Sequence, residues 1–96
     1  MGHYLVRLGV RSGSLSDVLH RVLDQMGEKA KAAYIGPESG GERELYVELE
    51  CEGPEVGELI AHLKSLEEVT SIRAESVPID TTFFLNPYAT GERERS

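Results

Sequence analysis

The chain has 96 residues, 40% hydrophobic and 28% charged, with a formal net charge of −7 at pH 7 and one cysteine. That length holds one domain around one core, and the acidic balance argues against nucleic acid and anionic membrane surfaces, which are gripped through Lys and Arg. The lone Cys51 excludes an internal disulfide and a thiolate metal cluster, and no apolar run approaches the roughly 20 residues of a membrane-spanning helix.

In residues 3–11, Tyr4, Val6, Leu8 and Val10 alternate with Leu5, Arg7, Gly9 and Arg11, the period of a strand with one buried face. No signal peptide precedes it, so a cytoplasmic protein is expected. Gly9 is weak in a strand interior and marks a bulge or a close approach of another backbone or a ligand. Arg11-Ser12-Gly13-Ser14 then breaks the alternation, and Leu15, Val18, Leu19, Val22, Leu23 and Met26 form one apolar stripe of helical period. Ser14 fits the N-cap, its hydroxyl accepting from the Asp17 backbone N–H, and Gly27 fits a left-handed C-terminal stop.

Residues 29–36 predict a second strand and 37–41, Pro-Glu-Ser-Gly-Gly, a turn. In residues 44–51, Leu45, Val47, Leu49 and Cys51 alternate with Glu44, Tyr46, Glu48 and Glu50, and the buried face again reads cleanly. Cys51 is read as a packing residue. Pro54 and Glu55 open a second helix, with proline expected at its first position and a stripe of Val56, Leu59, Ile60, Leu63 and Leu66. A fourth strand spans roughly 69–77, limited by Pro78. Beyond it come an apolar cluster (Phe83, Phe84, Leu85, Tyr88) and a polar end, residues 91–96.

The order strand, helix, strand, strand, helix, strand predicts the α+β ferredoxin-like βαββαβ sandwich, with both helices on one face of a four-stranded antiparallel sheet. Right-handed crossovers place the first and third strands in the centre. The expected domain is 1–79, followed by a tail, 80–96, whose 83–88 segment is ordered and whose polar end is flexible.

Functions hosted by this fold can be weighed at their sites. Base stacking on the open face needs aromatic rings and positive charge, and that face offers Leu5, Arg7, Gly9, Tyr46 and three glutamates. A thiolate metal carrier needs a Cys-x-x-Cys where this chain has Arg11-Ser12-Gly13-Ser14. A PII-type nitrogen-signalling trimer would need a longer loop between the second and third strands. His3, His20 and His62 have no acid-and-nucleophile partner at readable spacing, and Ser12, Ser14 and Ser16 read as turn and cap residues. No enzyme signature emerges, and no metal or cofactor is implied.

The segment Arg11-Ser12-Gly13-Ser14-Leu15-Ser16-Asp17-Val18-Leu19, with the βαββαβ order and the later Leu63-Lys64-Ser65-Leu66-Glu67-Glu68-Val69-Thr70-Ser71-Ile72, resembles an ACT domain, a small regulatory module that binds amino acids. The resemblance covers residues 3–79. Gly13 and Leu15 match the family's turn, whereas Ser12 stands where proline is usual and Val10 where an acid or amide holds the ligand's amino group. Asp80-Thr81-Thr82-Phe83-Phe84-Leu85 resembles the linker after the ACT-like segment of some bacterial malic enzymes. The resemblance implies a regulatory module, working with a metabolic-enzyme partner, that senses an amino acid or related carboxylate at Arg11, Ser12, Gly13, Ser14 and Leu15. There the helix dipole and Arg11 suit an acid. It also implies a homodimer that continues the sheet along its second strand, with the first helix beside it. The alternative is an oligomerisation or protein-interaction domain without a ligand.

Overall fold

The alternation after residue 2 becomes a central strand. In a computed structural model that describes residues 2–77, β1 (Gly2–Arg11) pairs antiparallel with both β3 (Glu42–Cys51) and β4 (Val69–Val77), and β2 (Ala30–Ser39) pairs with the outer side of β3. The strand order is β2-β3-β1-β4. The helices α1 (Leu15–Met26) and α2 (Gly53–Lys64) supply the two crossovers, which completes the predicted ferredoxin-like βαββαβ sandwich with β1 and β3 central. The expected boundary at 79, the tail 80–96 and its 83–88 segment lie outside the described residues.

Period-two patterning decides which face is buried. Val6, Leu8 and Val10 of β1 meet Val47, Leu45 and Arg43 of β3 across the ladder, and Val6, Leu8, Val10, Leu45, Val47, Leu49 and Cys51 are all buried. Against them pack Val18, Val22 and Met26 of α1 and Val56, Leu59 and Leu63 of α2, while Tyr4, Leu15, Leu19, Ile60, Leu66, Ile72 and Ala74 close the margin half-buried. Each large side chain removed from water contributes about 1.5–3 kcal/mol before chain entropy is counted. Leu23, expected on the same stripe, is instead 42% exposed: the apolar arc of α1 is wider than the surface the sheet offers it.

Helix ends differ in detail from the sequence reading. α1 is preceded by a 3-10 turn, Ser12–Ser14, and Ser14 makes no side-chain capping bond. Its backbone (φ −113°, ψ 6°) lies outside the extended region from which a serine hydroxyl reaches back to the first helical N–H groups. Gly27 does stop α1, at φ +57° but with ψ −127° rather than a left-handed helical value, its N–H donating to the Leu23 carbonyl. Pro54 falls second in α2, behind Gly53, and Glu55 accepts from the Glu52 backbone N–H at 3.0 Å. Lys29 also pairs with Glu55, tying the start of β2 to α2.

The expected five-residue turn between β2 and β3 is a two-residue one. Gly40 (φ +61°) and Gly41 (φ +82°) suit the tight hairpin that needs positive φ at both positions, so β2 runs on through Pro37 to Ser39. Pro37 is accommodated because β2 is an edge strand and its register with β3 shifts between Ile35 and Glu38.

Two substitutions separate packing from backbone geometry. Leu59→Ala is expected to lower unfolding free energy by about 2–5 kcal/mol, since Leu59 has no exposed surface. Gly27→Val, with open space around the position, should still cost about 1–3 kcal/mol through its positive φ. Chemical denaturation of both variants against the parent chain measures the two losses.

Candidate functional site

The turn after β1 lies at one end of the sheet, pinned from two sides. The Arg11 N–H donates to the Glu68 carbonyl and the Ser12 N–H to the Gly41 carbonyl, both at 2.9 Å, while the Ser12 hydroxyl donates to Glu38 Oε2 at 2.8 Å. Arg11 and Gly13 are exposed, Ser14 is half-buried, and Leu15 leans on the core. A Cβ at Gly13 would meet nothing within 4 Å, and its φ is not positive, so neither space nor backbone requires glycine there. The structure thus brings Arg11, Ser12, Gly13, Ser14 and Leu15 together in sequence and ties Ser12 to the β2–β3 hairpin. None of the five lines either of the cavities described below.

Both cavities belong to the opposite face, which neither helix covers. Leu5, Arg7 and Gly9 of β1 point there, with Tyr46 and Glu44 of β3, Arg73 and Glu75 of β4, and Tyr34 of β2 at the same register levels. Arg7 is the centre. Across one ladder it faces Tyr46, whose ring centroid is 5.4 Å from the guanidinium carbon; across the other it faces Arg73. The Tyr46 hydroxyl donates to Glu44 Oε2 at 2.5 Å, and that carboxylate stands 3.8 Å from Arg7. Tyr46 first, then Glu44 and Glu75, push the Arg7 pKa above its ordinary value, so the guanidinium stays charged.

Next to this centre, a cavity of about 550 Å³ opens towards the end of the sheet that carries the β1 turn, with Arg7, Gly9, Glu42, Arg43, Ser71 and Arg73 among its lining. A second hollow of about 350 Å³ is bounded by Leu5, Arg7, Tyr34, Tyr46 and Glu75. Gly9 is where the ladder shifts between β1 and β4: a Cβ there would fall 2.6 Å from the Ser71 hydroxyl and 2.8 Å from that of Thr70. The irregularity expected at Gly9 is present as a register shift between Gly9 and Val10 whose extra residue, Thr70, lies on β4, and two hydroxyls occupy the space that a side chain would take.

The remaining chemically able groups are dispersed. His20 and His62 are exposed on the helices, and His3 Nε2 lies 3.4 Å from Glu50 Oε2. Cys51 is buried, and burial pushes its thiol pKa up, partly countered by Lys29. Among the described residues no group of three or more His, Cys, Asp or Glu is placed to hold a metal ion, and no helix is long and apolar enough to cross a membrane.

A third feature is the β2 margin. The large apolar side chains exposed among the described residues are Leu23 (42%), Tyr34 (41%) and Ile35 (54%): two on β2, one on the helix that contacts it. Ile35 lies level with buried Leu45 on the helix side, and Tyr34 lies level with Tyr46 on the open side. The other edge, β4, carries Thr70, Ser71, Arg73, Glu75 and Ser76, polar residues of the kind that blunt an edge.

Sequence reasoning did not single out Arg73, and it read Leu23 only as one of the stripe residues facing the core. Arg73 matters only once the register sets it opposite Arg7, and Leu23 obeys the helical period and differs only in what covers it.

No family model matches this chain, and no curated protein matches it in sequence. Among solved structures, it is similar to the C-terminal domain of the MgtC protein from Mycobacterium tuberculosis, with 14% identity, a TM-score of 0.70, and coverage of 80% of this chain and 88% of that one. It is also similar to the uncharacterized protein TM1266 from Thermotoga maritima (15% identity, TM-score 0.61, covering 82% and 98%) and to the de novo designed protein Foldit4 (13% identity, TM-score 0.57, covering 79% and 94%). At these identities the likeness is one of fold: a small α+β domain shared by natural and designed chains.

Proposed function

We propose that the chain is a regulatory module that pairs with a second copy of itself along β2 and senses a carboxylate metabolite on behalf of a partner enzyme. The observation that carries the self-pairing is the gathering of Leu23, Tyr34 and Ile35 on β2 and the helix beside it. An edge strand presents unpaired N–H and C=O groups, and an antiparallel copy of the same strand satisfies them about a two-fold axis while burying the apolar residues on both its faces. The small Ala32 and Ala33 on this edge allow close approach, and Pro37 confines pairing to the part of β2 before it.

The sensing half of the proposal draws on the resemblance of the turn through Arg11, Ser12, Gly13, Ser14 and Leu15 to ACT domains. It also draws on the arginines at the same end of the sheet, which suit a carboxylate rather than an ammonium group. A domain that only self-associates is the competing reading, and the two differ in mass action: a ligand that binds the folded chain raises its melting temperature, and a pure association module shows no such response.

Sedimentation velocity is expected to give a species of twice the 10.6 kDa chain mass, with Ile35→Lys weakening association by roughly 30-fold or more, the equivalent of about 2 kcal/mol for an unpaired charge at the contact. The variant should keep the parent circular dichroism spectrum, because Ile35 is 54% exposed in the single chain. A parent chain that sediments at 10.6 kDa at every concentration would contradict the self-pairing.

A further inference from the structure

We propose that the cavity on the helix-free face, above the cross-strand pair Arg7 and Arg73, binds a small organic dicarboxylate. This rests on the ligand-sensing reading and moves its site from the β1 turn to the neighbouring open face.

The first argument is electrostatic. Arg7 and Arg73 are direct partners in the β1–β4 ladder, so two guanidinium groups leave the same face of the sheet from adjacent Cα positions. Like charges at such positions are destabilising in an antiparallel pair. Glu44 and Glu75 relieve this only in part: Glu75 acts on Arg7 without forming an ion pair, and Glu44, at 3.8 Å, is beyond hydrogen-bond reach, with both side chains of that pair about half exposed, where ion pairs contribute little. Arg73 has no side-chain partner among the described residues. An anion between the two converts a repulsion into two charge-assisted contacts.

The second argument is local composition. The chain carries a net charge of −7, yet two of the five arginines among the described residues, Arg7 and Arg73, stand side by side on this face and line the cavity, while Arg43, level with buried Val10, belongs to the helix-side register. Its two acids keep their charge but are held by neighbouring hydroxyls, Glu42 by Thr70 at 2.8 Å and Glu44 by Tyr46 at 2.5 Å, which leaves the Arg73 guanidinium for a ligand. Ser71 adds a further donor beside Gly9, whose missing side chain leaves room for it.

The third argument is size and shape. A volume of about 550 Å³ falls within the range of about 300–1,000 Å³ typical of small-molecule sites. Each planar guanidinium fork matches one carboxylate in bidentate fashion, and Tyr46 under Arg7 orients one of the forks. Two forks on neighbouring strands therefore select two carboxylates on one short carbon chain over a single one.

The test is a calorimetric titration of the full chain with succinate, acetate and inorganic phosphate at constant ionic strength, repeated on Arg73→Gln, with melting curves of both proteins. Succinate is expected to bind at least tenfold more tightly than acetate or phosphate, and Arg73→Gln to lose at least tenfold in succinate affinity. The unliganded melting temperature of the variant should not fall, because the substitution removes a repulsion; a drop would assign Arg73 a structural role and overturn the proposal. Succinate binding that Arg73→Gln leaves unchanged would overturn this site while the sensing reading stands. Binding of phosphate as tight as that of succinate would overturn the dicarboxylate assignment, and the absence of binding by any carboxylate would overturn both readings.

Discussion

The pairing of β1 with a strand on each side sets the geometry of everything else in this structure. Its residues alternate so that Val6, Leu8 and Val10 go down into the core while Arg7 and Gly9 stay up, and the two ladders transmit that choice to β3 and β4 residue by residue. A shift of one residue in either ladder would send Leu45 or Ile72 to the open face and a charged neighbour into the core. The helices then have one face to cover, and their buried residues, three from each, meet the buried residues of the two central strands.

That division of labour leaves two surfaces unsatisfied, and they are unsatisfied for different reasons. On the open face the difficulty is charge: Tyr46, Glu44 and Glu75 surround Arg7, but its other ladder neighbour is a second arginine. At the β2 margin the difficulty is area. The outermost strand sits beyond the reach of α1, so Ile35 is exposed although its register partner Leu45 is fully buried, and Leu23 overhangs from the helix. Exposed apolar groups at a strand edge are the ground for the proposed self-pairing, and the like-charge pair beside a cavity is the ground for the proposed anion site; neither disturbs the core that supports them.

Much of the fold was legible in the sequence because its signals were redundant. The first and third strands, the two stripes and the order of elements all agreed, and agreement between levels is what makes a pattern reliable. The errors fell where a local rule has several outcomes. Ser14 has the right residue type for a capping bond, but the 3-10 turn ahead of it gives it the wrong backbone angles. Residues 37–41 have turn composition throughout, yet two glycines with positive φ are enough to reverse the chain, and Pro37 is tolerated in a strand because that strand is at an edge. The candidate surfaces were less legible. The polar character of Arg7 and Arg73 is plain in the sequence, but their juxtaposition depends on a register that contains a shift at Gly9, and single-strand patterning carries no information about that.

The central claim, that β2 is a pairing edge rather than a solvated one, can be tested at the backbone. Hydrogen–deuterium exchange of the full chain, followed at several protein concentrations, reports on the β2 amides of residues 30–36 directly. The account predicts that the amides turned away from β3 become protected as concentration rises, while those of β4, the polar edge, exchange at a concentration-independent rate. Rapid exchange of the outward β2 amides at all concentrations, or protection that appears on β4 instead, would contradict it.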